Sequence, residues 1–353
     1  MKITKQLCKL LMIAILLVSC QDDKVELVER DYSNGVLISG EGSGAGTGSI
    51  SYISKDQSSK FQFIYLSANG VELGTFLQSM AFSEDNAFVI VDNANTITVV
   101  DKATFIKVGE ITTNLTTPRY MAVVGDKGYV TNWGNPNSET DDFIAVVDLT
   151  TYTVSKTIAV GNGPEQIIEK DGKLYVSHKG AYSYNNIVSV IDIATDVVTE
   201  ITVEDNPDEL FFNDNGDLVV LSEGRTIYNA DWSVGGNTIG AIQTIDVSSN
   251  MVTTSLEFEE GEHPSLMAFS EENIYYYLSG KVYKIASNAT ALATEEVVSQ
   301  FLSGMSVAND ELHGVNGNYS EQSDYYVFDL TSSEQLYTTK VALGAAKIYF
   351  LEE

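Results

Sequence analysis

The most constraining feature of this sequence is a unit of four short strands that recurs along most of the chain. Its clearest copy spans residues 118–163, where four alternating apolar segments are separated by an Asp-Lys-Gly turn, a polar loop and a threonine-rich turn. That order is typical of four consecutive antiparallel strands. One such sheet cannot bury both of its faces alone, so the unit requires neighbouring copies of itself.

Six full copies follow one another along the chain. Proline opens the first strand of four of them, at a position where its missing N–H costs no ladder hydrogen bond. The copies begin at residues 77, 118, 164, 207, 264 and 303, so that consecutive starts are 41, 46, 43, 57 and 39 residues apart. These spacings are typical of the four-stranded blades of propellers.

The two chain ends are predicted to share a seventh blade. Residues 32–76 supply three strands and the segment after Gly344 supplies one, which we expect to be the innermost strand of the mixed blade. Pairing both ends in one sheet closes the ring and leaves no open edge. The sequence therefore predicts an all-β, seven-bladed β-propeller of four-stranded antiparallel blades over residues 32–353.

Several polar motifs are better explained as turns than as catalytic or ligand-binding sites. The third strand ends in an acid in five copies and in Ala286 in the sixth, the five acids being Asp101, Asp148, Asp192, Asp246 and Asp329. We expect each carboxylate to accept backbone N–H bonds in a turn. Residues 213–217 lack the distal glutamate of a calcium loop and fit a hairpin turn. The glycine-rich segment 40–48 precedes a strand, not the helix that a phosphate site needs.

The N-terminus has the pattern of a targeting segment. Three lysines precede the apolar residues 10–18, a run too short to cross a bilayer as a helix. The run ends at Cys20 in Leu-Val-Ser-Cys, which resembles a bacterial lipobox, although an ordinary secretory signal is the alternative. The resemblance implies removal of residues 1–19, lipidation of Cys20 and a charged tether over residues 20–31. The acidic residues after Cys20 resemble the surface-export signal of Bacteroidota lipoproteins, which implies a surface-exposed outer-membrane location.

Composition narrows the classes of partner and chemistry. The chain has 49 Asp and Glu against 20 Lys and Arg, a net charge of −29. This charge repels nucleic-acid phosphates and favours neutral or cationic ligands, so no nucleic-acid partner is expected. The sequence has three histidines without paired spacing, no Cys cluster and no Gly-x-Ser-x-Gly motif. It therefore predicts neither a metal site nor a catalytic site. No cofactor is predicted.

One face of the predicted propeller carries longer loops than the other. Long insertions follow the second strand at residues 134–143, 180–187 and 224–239, and such loops share a rim with the starts of the first strands. Aromatic side chains there provide flat apolar area for a ligand, although they could instead pack only their own loops. The predicted ligand-binding residues are Arg119, Asn132, Trp133, His178, Tyr182, Tyr184, Glu223, Tyr228, Trp232, His263 and Tyr319. For the two histidines in this set, a structural role is the alternative.

Three segments carry a family resemblance. Tyr129-Val130-Thr131-Asn132 is the YVTN signature of bacterial surface propellers. Residues 35–42, together with Pro-Arg-Tyr-Met from residue 118, resemble Bacteroidota lipoprotein propellers of the DUF5074/YncE-like type, although Gly40 replaces the usual asparagine. Some members of that group are cobalamin-capturing lipoproteins that sit over a TonB-dependent outer-membrane transporter, and others have no assigned ligand.

The leading hypothesis is therefore a non-enzymatic surface lipoprotein. It captures a small-molecule nutrient, with a corrinoid such as cobalamin as one candidate, and hands it to a TonB-dependent transporter. A protein-binding scaffold or adhesion propeller is the alternative. A lactonase-like or quinoprotein-like enzyme is a third hypothesis, disfavoured because two tryptophans are too few for recurring docking motifs and no metal ligands can be assembled.

Overall fold

The computed structural model describes residues 30–44 and 46–351. The predicted signal segment, Cys20 and the tether up to residue 29 lie outside the described residues. None of the helices in the described ranges combines the length and the apolar character that crossing a membrane requires.

Strands make up almost all of the regular structure. The first half of the chain contains β1 (Gly35–Gly40), β2 (Ser49–Ser54), β3 (Lys60–Phe61), β4 (Leu77–Phe82), β5 (Asn86–Val91), β6 (Thr96–Asp101), β7 (Lys107–Ile111), β8 (Pro118–Val124), β9 (Lys127–Asn132), β10 (Phe143–Asp148), β11 (Thr153–Ala159), β12 (Pro164–Lys170), β13 (Lys173–His178), β14 (Ile187–Asp192) and β15 (Val198–Thr202). The second half contains β16 (Pro207–Phe212), β17 (Leu218–Ser222), β18 (Thr226–Tyr228), β19 (Val234–Asn237), β20 (Ala241–Asp246), β21 (Met251–Glu257), β22 (Leu266–Ser270), β23 (Asn273–Leu278), β24 (Lys281–Ala286), β25 (Glu296–Ser299), β26 (Gly304–Ala308), β27 (Glu311–Asn316), β28 (Gln322–Asp329), β29 (Gln335–Leu343) and β30 (Ala345–Leu351).

These strands form seven four-stranded antiparallel sheets, which confirms the predicted seven-bladed propeller. From the outer to the inner strand, the sheets are β3-β2-β1-β30, β7-β6-β5-β4, β11-β10-β9-β8, β15-β14-β13-β12, β21-β20-β17-β16, β25-β24-β23-β22 and β29-β28-β27-β26. A separate two-stranded sheet, β18-β19, lies in the insertion after β17. The ring therefore has seven inner strands around a central channel.

The chain ends close the ring in one blade, as predicted. Strand β30 pairs antiparallel with β1 and is the innermost strand of the mixed blade. It also contacts both neighbouring blades, since Tyr349 Oη accepts a 2.8 Å hydrogen bond from Met80 N and Ser306 Oγ donates to Ile348 O at 3.2 Å. Because the last strand joins the first, neither end leaves a free inner edge.

The core lies between adjacent blades. Between the second and third sheets, Phe88 and Ile90 of β5 pack against Met121 of β8 and Val130 of β9, all of them buried. Both faces of the middle strands are covered in this way, which explains why those strands consist of nearly continuous apolar residues.

The outer part of the mixed blade differs from the expected strand. Its outermost strand has only two residues, and the chain then forms the short helix α1 (Ile64–Asn69). Ile64 and Tyr65 are buried in the core, and Asn69 Nδ2 donates to both Tyr65 O and Phe105 O at 2.9 and 2.8 Å. Packing against the neighbouring blade thus overrides the strand-like apolar pattern of this segment.

The polar turn motifs are confirmed as turns. At the end of all five predicted third strands, the Asp carboxylate accepts a backbone N–H bond of 2.9 Å or less. In the hairpin between β16 and β17, Asn213 Oδ1 accepts from Asn215 N and Asp217 N at 3.1 and 3.0 Å.

The two rims of the propeller differ in the length of their loops. We call the rim that carries loops 133–142, 179–186 and 223–240 the loop-rich face. The opposite rim carries short turns and the start of the described propeller, where Tyr32 N donates to Ala103 O at 2.7 Å. Strand β30 ends on that opposite rim, since Leu351 pairs with Gly35.

Candidate functional site

The inner strands bring charged side chains to one end of the central channel. The register of β8, β12 and β16 shifts just after the opening proline in all three blades. The residue after each proline is Arg119, Glu165 or Asp208, so these three occupy equivalent positions. Because a bulge re-aims side chains in the same way in each strand, the three converge at the channel mouth on the loop-rich face.

Arg119 is fixed by two carboxylates and a ring. Its Nη1 donates to Asp92 Oδ2 at 2.7 Å, while Nη2 and Nε donate to Glu165 Oε1 and Oε2 at 2.8 and 3.1 Å. The guanidinium lies 3.8 Å from the ring centroid of Trp133. The side chain of Arg119 is 12% exposed and that of Glu165 is 5% exposed. Burial acts to lower the pKa of Arg119, but Glu165 and Asp92 raise it overall, so the charge is permanent.

Lys179 joins the next two blades at the channel mouth. Its Nζ donates to Asp208 Oδ2 at 2.7 Å and to Glu223 Oε1 at 2.9 Å. Burial opposes ionisation of Asp208, yet Lys179 brings the pKa of Asp208 below its ordinary value. Burial raises the pKa of Glu223 to about 7, and the nearby charge of Asp208 adds to this rise. Asp208 is therefore ionised at neutral pH, whereas burial keeps the pKa of Glu223 near 7 in spite of the opposing effect of Lys179.

A third cation, Lys347 of β30, lies beside Glu209, the residue that follows Asp208 on β16. Lys347 Nζ is 3.7 Å from Glu209 Oε1 and 5.3 Å from the ring centroid of Tyr120. Gln166 Nε2 donates to the same carboxylate. Burial raises the pKa of Tyr120, so the phenol stays neutral next to the lysine. A second polar network, formed by Lys347, Glu209, Gln166 and Tyr120, thus lies in the channel below its mouth.

Aromatic side chains surround this mouth. The rings of Trp133 and Tyr182 are 6.2 Å apart in an edge arrangement. Arg225 lies 3.7 Å from the ring centroid of Tyr184 and donates to Asp205 at 2.9 Å. On the other side of the mouth, Tyr319 Oη donates to Glu41 Oε2 at 3.2 Å.

The β18–β19 hairpin presents further aromatic surface. Trp232 lies in its turn with a positive φ of 66° and is 84% exposed, and Tyr228 on β18 is also exposed. The hairpin follows β17, as loop 133–142 follows β9, so Trp133 and Trp232 belong to the same rim. Tyr182, in the loop after β13, is 74% exposed.

Three predicted ligand contacts hold loops in this structure. Asn132 is buried and its Oδ1 accepts from Thr116 N at 2.9 Å. His178 is buried, with Nδ1 3.1 Å from Asn162 O and Nε2 2.8 Å from Ser189 Oγ. Burial lowers the pKa of His178 to about 4, so the ring is neutral.

His263 is the third of these residues. Its Nδ1 lies 3.0 Å from Glu223 O and its Nε2 lies 3.2 Å from Asn237 Oδ1. The His263 ring is thus bonded to the insertion 223–240 of the preceding blade, whereas the His178 ring is bonded within its own blade. His313, the remaining histidine, is paired with Tyr325 Oη at 2.6 Å beside a cavity that reaches the opposite rim. Within the described ranges, no three His, Cys, Asp or Glu side chains are placed to hold a metal ion.

Several site residues were absent from the predicted set. Glu165 and Asp208 could have been found from the repeat, because each follows the opening proline as Arg119 does. Asp92 and Lys179 directly follow second strands, as Trp133 and Glu223 do. Lys347 carries no such signal. It follows two alanines on β30, so neither an opening proline nor the end of a second strand marks its position.

Loop 133–142 ends in an unusual buried acid. Asp142 is 2% exposed, and its Oδ1 accepts from Gly163 N at 3.2 Å, which ties this loop to the start of the next blade. Its Oδ2 is buried and has no hydrogen-bond partner among the described residues. Burial raises the pKa of Asp142 to about 7, against the bond from Gly163 and with help from Asp141.

Replacing Asp142 by asparagine is expected to stabilise the protein at alkaline pH. The folded-state pKa lies above the ordinary value of 3.8, so the folded state binds more protons between about pH 4 and pH 7. Stability is thus highest at low pH and falls as the pH rises through this window. Asp142→Asn keeps the acceptor for Gly163, and we expect a gain of about 1–2 kcal/mol at pH 8 with none at pH 4, measured by urea unfolding. Exposed Asp214→Asn is the control, and an equal gain at both pH values would contradict the explanation.

The fold and the loop-rich face define the class of this protein as a seven-bladed β-propeller with an aromatic, charge-lined channel mouth. The family described as Domain of unknown function (DUF5074) matches residues 34–335, and the chain belongs to that family. A search of curated proteins found no match.

Solved structures share the fold at low sequence identity. The computationally designed Ika8 protein is 12% identical, with a TM-score of 0.58 over 91% of this chain and 92% of that chain. Dihydro-heme d1 dehydrogenase NirN in complex with DHE is 12% identical, with a TM-score of 0.55 over 92% of this chain and 76% of that chain. Apo AztD from Citrobacter koseri is 12% identical, with a TM-score of 0.53 over 90% of this chain and 98% of that chain. At this identity the likeness concerns the fold alone.

Proposed function

We propose that this chain is a non-enzymatic, ligand-capturing propeller whose loop-rich face binds a small molecule. The observation that carries the proposal is that one rim combines a preorganised charged mouth with Trp133, Tyr182, Tyr184 and Trp232, where Trp133 contacts both Arg119 and Tyr182. Rigid aromatic area with a few oriented polar groups is typical of small-molecule sites. Arg119 and Lys179 are already held by paired carboxylates, so the polar part needs no rearrangement to form.

The same proposal includes a surface anchor and a transporter partner. Its support is the lipobox resemblance at Cys20 and the acidic residues that follow it. The described propeller begins on the rim opposite the loop-rich face, where Tyr32 N donates to Ala103 O. We propose that the captured nutrient passes to a TonB-dependent outer-membrane transporter.

A corrinoid such as cobalamin is one candidate ligand within this proposal. The support is the resemblance to cobalamin-capturing surface propellers and an aromatic rim suited to a large ring system. NirN, a structure with the same fold, is described in complex with DHE, which supports ligand binding as a capacity of such propellers.

Removing both tryptophans of the face is expected to weaken binding at least tenfold. Trp232 is 84% exposed and Trp133 is half-buried, and both rings supply contact area that alanine cannot replace. The full-length chain and its Trp133→Ala/Trp232→Ala variant should be compared by equilibrium titration against corrinoids, haem, glycans and peptides. Met251→Ala, which removes an exposed apolar side chain from the opposite rim, is the control. Unchanged affinity of the double variant for a ligand that binds the parent would contradict the proposed face.

A protein-binding role is the second candidate. It is favoured by the β18–β19 hairpin, where Tyr228, Trp232 and Val234 are all exposed. Exposed apolar side chains in a cluster are typical of protein interfaces. A pull-down of the lipidated chain from membranes separates the two functions, because a scaffold retains its partner without any small ligand.

A further inference from the structure

We propose that the ligand of the loop-rich face presents a cationic nitrogen group, an ammonium or a guanidinium, to the channel mouth. This inference rests on the proposed function, since it names the chemistry of the ligand for the same face, and it favours a ligand other than a corrinoid, which presents no ammonium or guanidinium group. It follows from the balance of charge at the mouth and from the way in which the protein already holds its own guanidinium groups there.

At the mouth and in the channel just below it, carboxylates outnumber cations by two to one. The acids are Glu41, Asp92, Glu165, Asp208, Glu209 and Glu223, and the cations are Arg119, Lys179 and Lys347. Six negative and three positive charges leave a formal excess of three negative charges. An anionic group would enter against this excess, whereas a cationic group would reduce it.

The three cations have little left to offer an anion. Both edges of the Arg119 guanidinium are bonded to carboxylates, and Lys179 bridges two more. Lys347 lies below the mouth beside Glu209. Breaking a buried ion pair to bind an external anion leaves an uncompensated carboxylate, which is costly. Anionic ligands are therefore disfavoured twice, by the overall charge and by the occupied donors.

The aromatic rings provide an independent indication. Two guanidinium groups of the protein lie against ring faces on this rim, Arg119 over Trp133 at 3.8 Å and Arg225 over Tyr184 at 3.7 Å. Cations are attracted to the electron-rich faces of aromatic rings. Tyr182 and Trp232 lie on the same rim with most of their surface exposed, so they offer a ligand the type of contact that the internal guanidiniums already make.

Protonation behaviour supports the same ligand class. Burial raises the pKa of Glu41 and of Asp92, and it raises that of Glu223 to about 7. Lys179, Asp208 and Glu209 are the other charged groups that act on Glu223. A cation bound beside Glu223 favours its ionised form, so binding near pH 7 should release a fraction of a proton.

Three probes with a common indole ring test the inference on the full-length chain. Tryptamine, 3-ethylindole and indole-3-propionate carry a cationic, a neutral and an anionic end, respectively. We expect tryptamine to bind at least tenfold more tightly than indole-3-propionate in calorimetric titrations at low salt, with a smaller difference in 0.5 M NaCl. Titrations in buffers of different ionisation enthalpy should show proton release with tryptamine and none with 3-ethylindole.

Variants that neutralise single carboxylates test which acids attract the cationic probe. Glu41→Gln and Glu223→Gln should each weaken tryptamine binding several-fold more than they weaken 3-ethylindole binding. Glu295→Gln, an exposed position in the fifth repeat, changes the net charge equally and should have no effect. Indole-3-propionate binding as tightly as tryptamine, or a preference unchanged in both variants, would overturn the inference and leave the proposed face intact. If none of the probes, including 3-ethylindole, bound the chain, the proposed face would fail together with the inference.

Discussion

Replacing Arg119 by methionine is expected to lower the free energy of unfolding by about 3–5 kcal/mol at pH 7. The substitution removes the partner of Asp92 and of Glu165, and Glu165 is only 5% exposed. A buried carboxylate that loses its counter-ion retains the full cost of desolvation. The loss also removes the guanidinium from the ring of Trp133, and urea unfolding followed by fluorescence would measure the total.

A matched variant separates the charge from the packing. Combining Arg119→Met with Asp92→Asn and Glu165→Gln removes the uncompensated charges and should recover most of the lost stability. Arg119→Lys keeps a charge but cannot bond Glu165 through two parallel N–H groups, so an intermediate loss is expected. A loss below about 1 kcal/mol for Arg119→Met would show that the carboxylates are hydrated in the folded state.

Replacing Gly304 by alanine is expected to cost about 3 kcal/mol or more, because the added methyl group would enter the seam that closes the ring. Gly304 begins β26, the inner strand next to β30. A Cβ at this position would lie 1.9 Å from Ala346 O and 2.7 Å from Ala346 C. Backbone atoms cannot rotate away as a side chain does, so β26 and β30 would have to separate.

Gly44→Ala is the control for this substitution. A Cβ at Gly44 would have no neighbour within 4 Å, and its stability should change by a few tenths of a kcal/mol. The midpoint of thermal unfolding should fall by several degrees for Gly304→Ala alone. Equal midpoints for the two variants would mean that the last blade and the C-terminal strand do not pack as closely as the structure has them.

The charged mouth and the aromatic rim depend on different parts of the chain. Arg119, Glu165 and Asp208 lie on rigid inner strands, whereas Trp133, Tyr182 and Trp232 lie on the loops that follow the second strands. A rigid charged centre with variable aromatic loops around it allows ligand preference to change without loss of the fold. Loss of stability in Arg119 variants should therefore be separable from loss of binding in a Trp232→Ala variant, whereas Trp133 contacts Arg119 directly.

The repeat itself determined the fold. Proline before the first strand, an acid after the third and spacings near 40 residues specify one sheet many times over, and only a closed ring buries every copy. The pairing of the chain ends followed from counting three strands at one end and one at the other. Helix α1 could not be predicted, because its apolar residues fit a strand and only contact with the neighbouring blade selects the helix.

Tertiary structure alone decided which of the predicted site residues remain available to a ligand. The sequence predicted Asn132, His178 and His263 as ligand contacts, but their polar atoms are bonded to the backbone and side chains of neighbouring segments. The sequence likewise did not predict the ion pair between Lys347 and Glu209, because the two residues are far apart in the chain. Local pattern fixes which rim a residue reaches, because strand direction alternates regularly. Charge pairing across blades depends on side-chain geometry in three dimensions, which no periodicity in the sequence encodes.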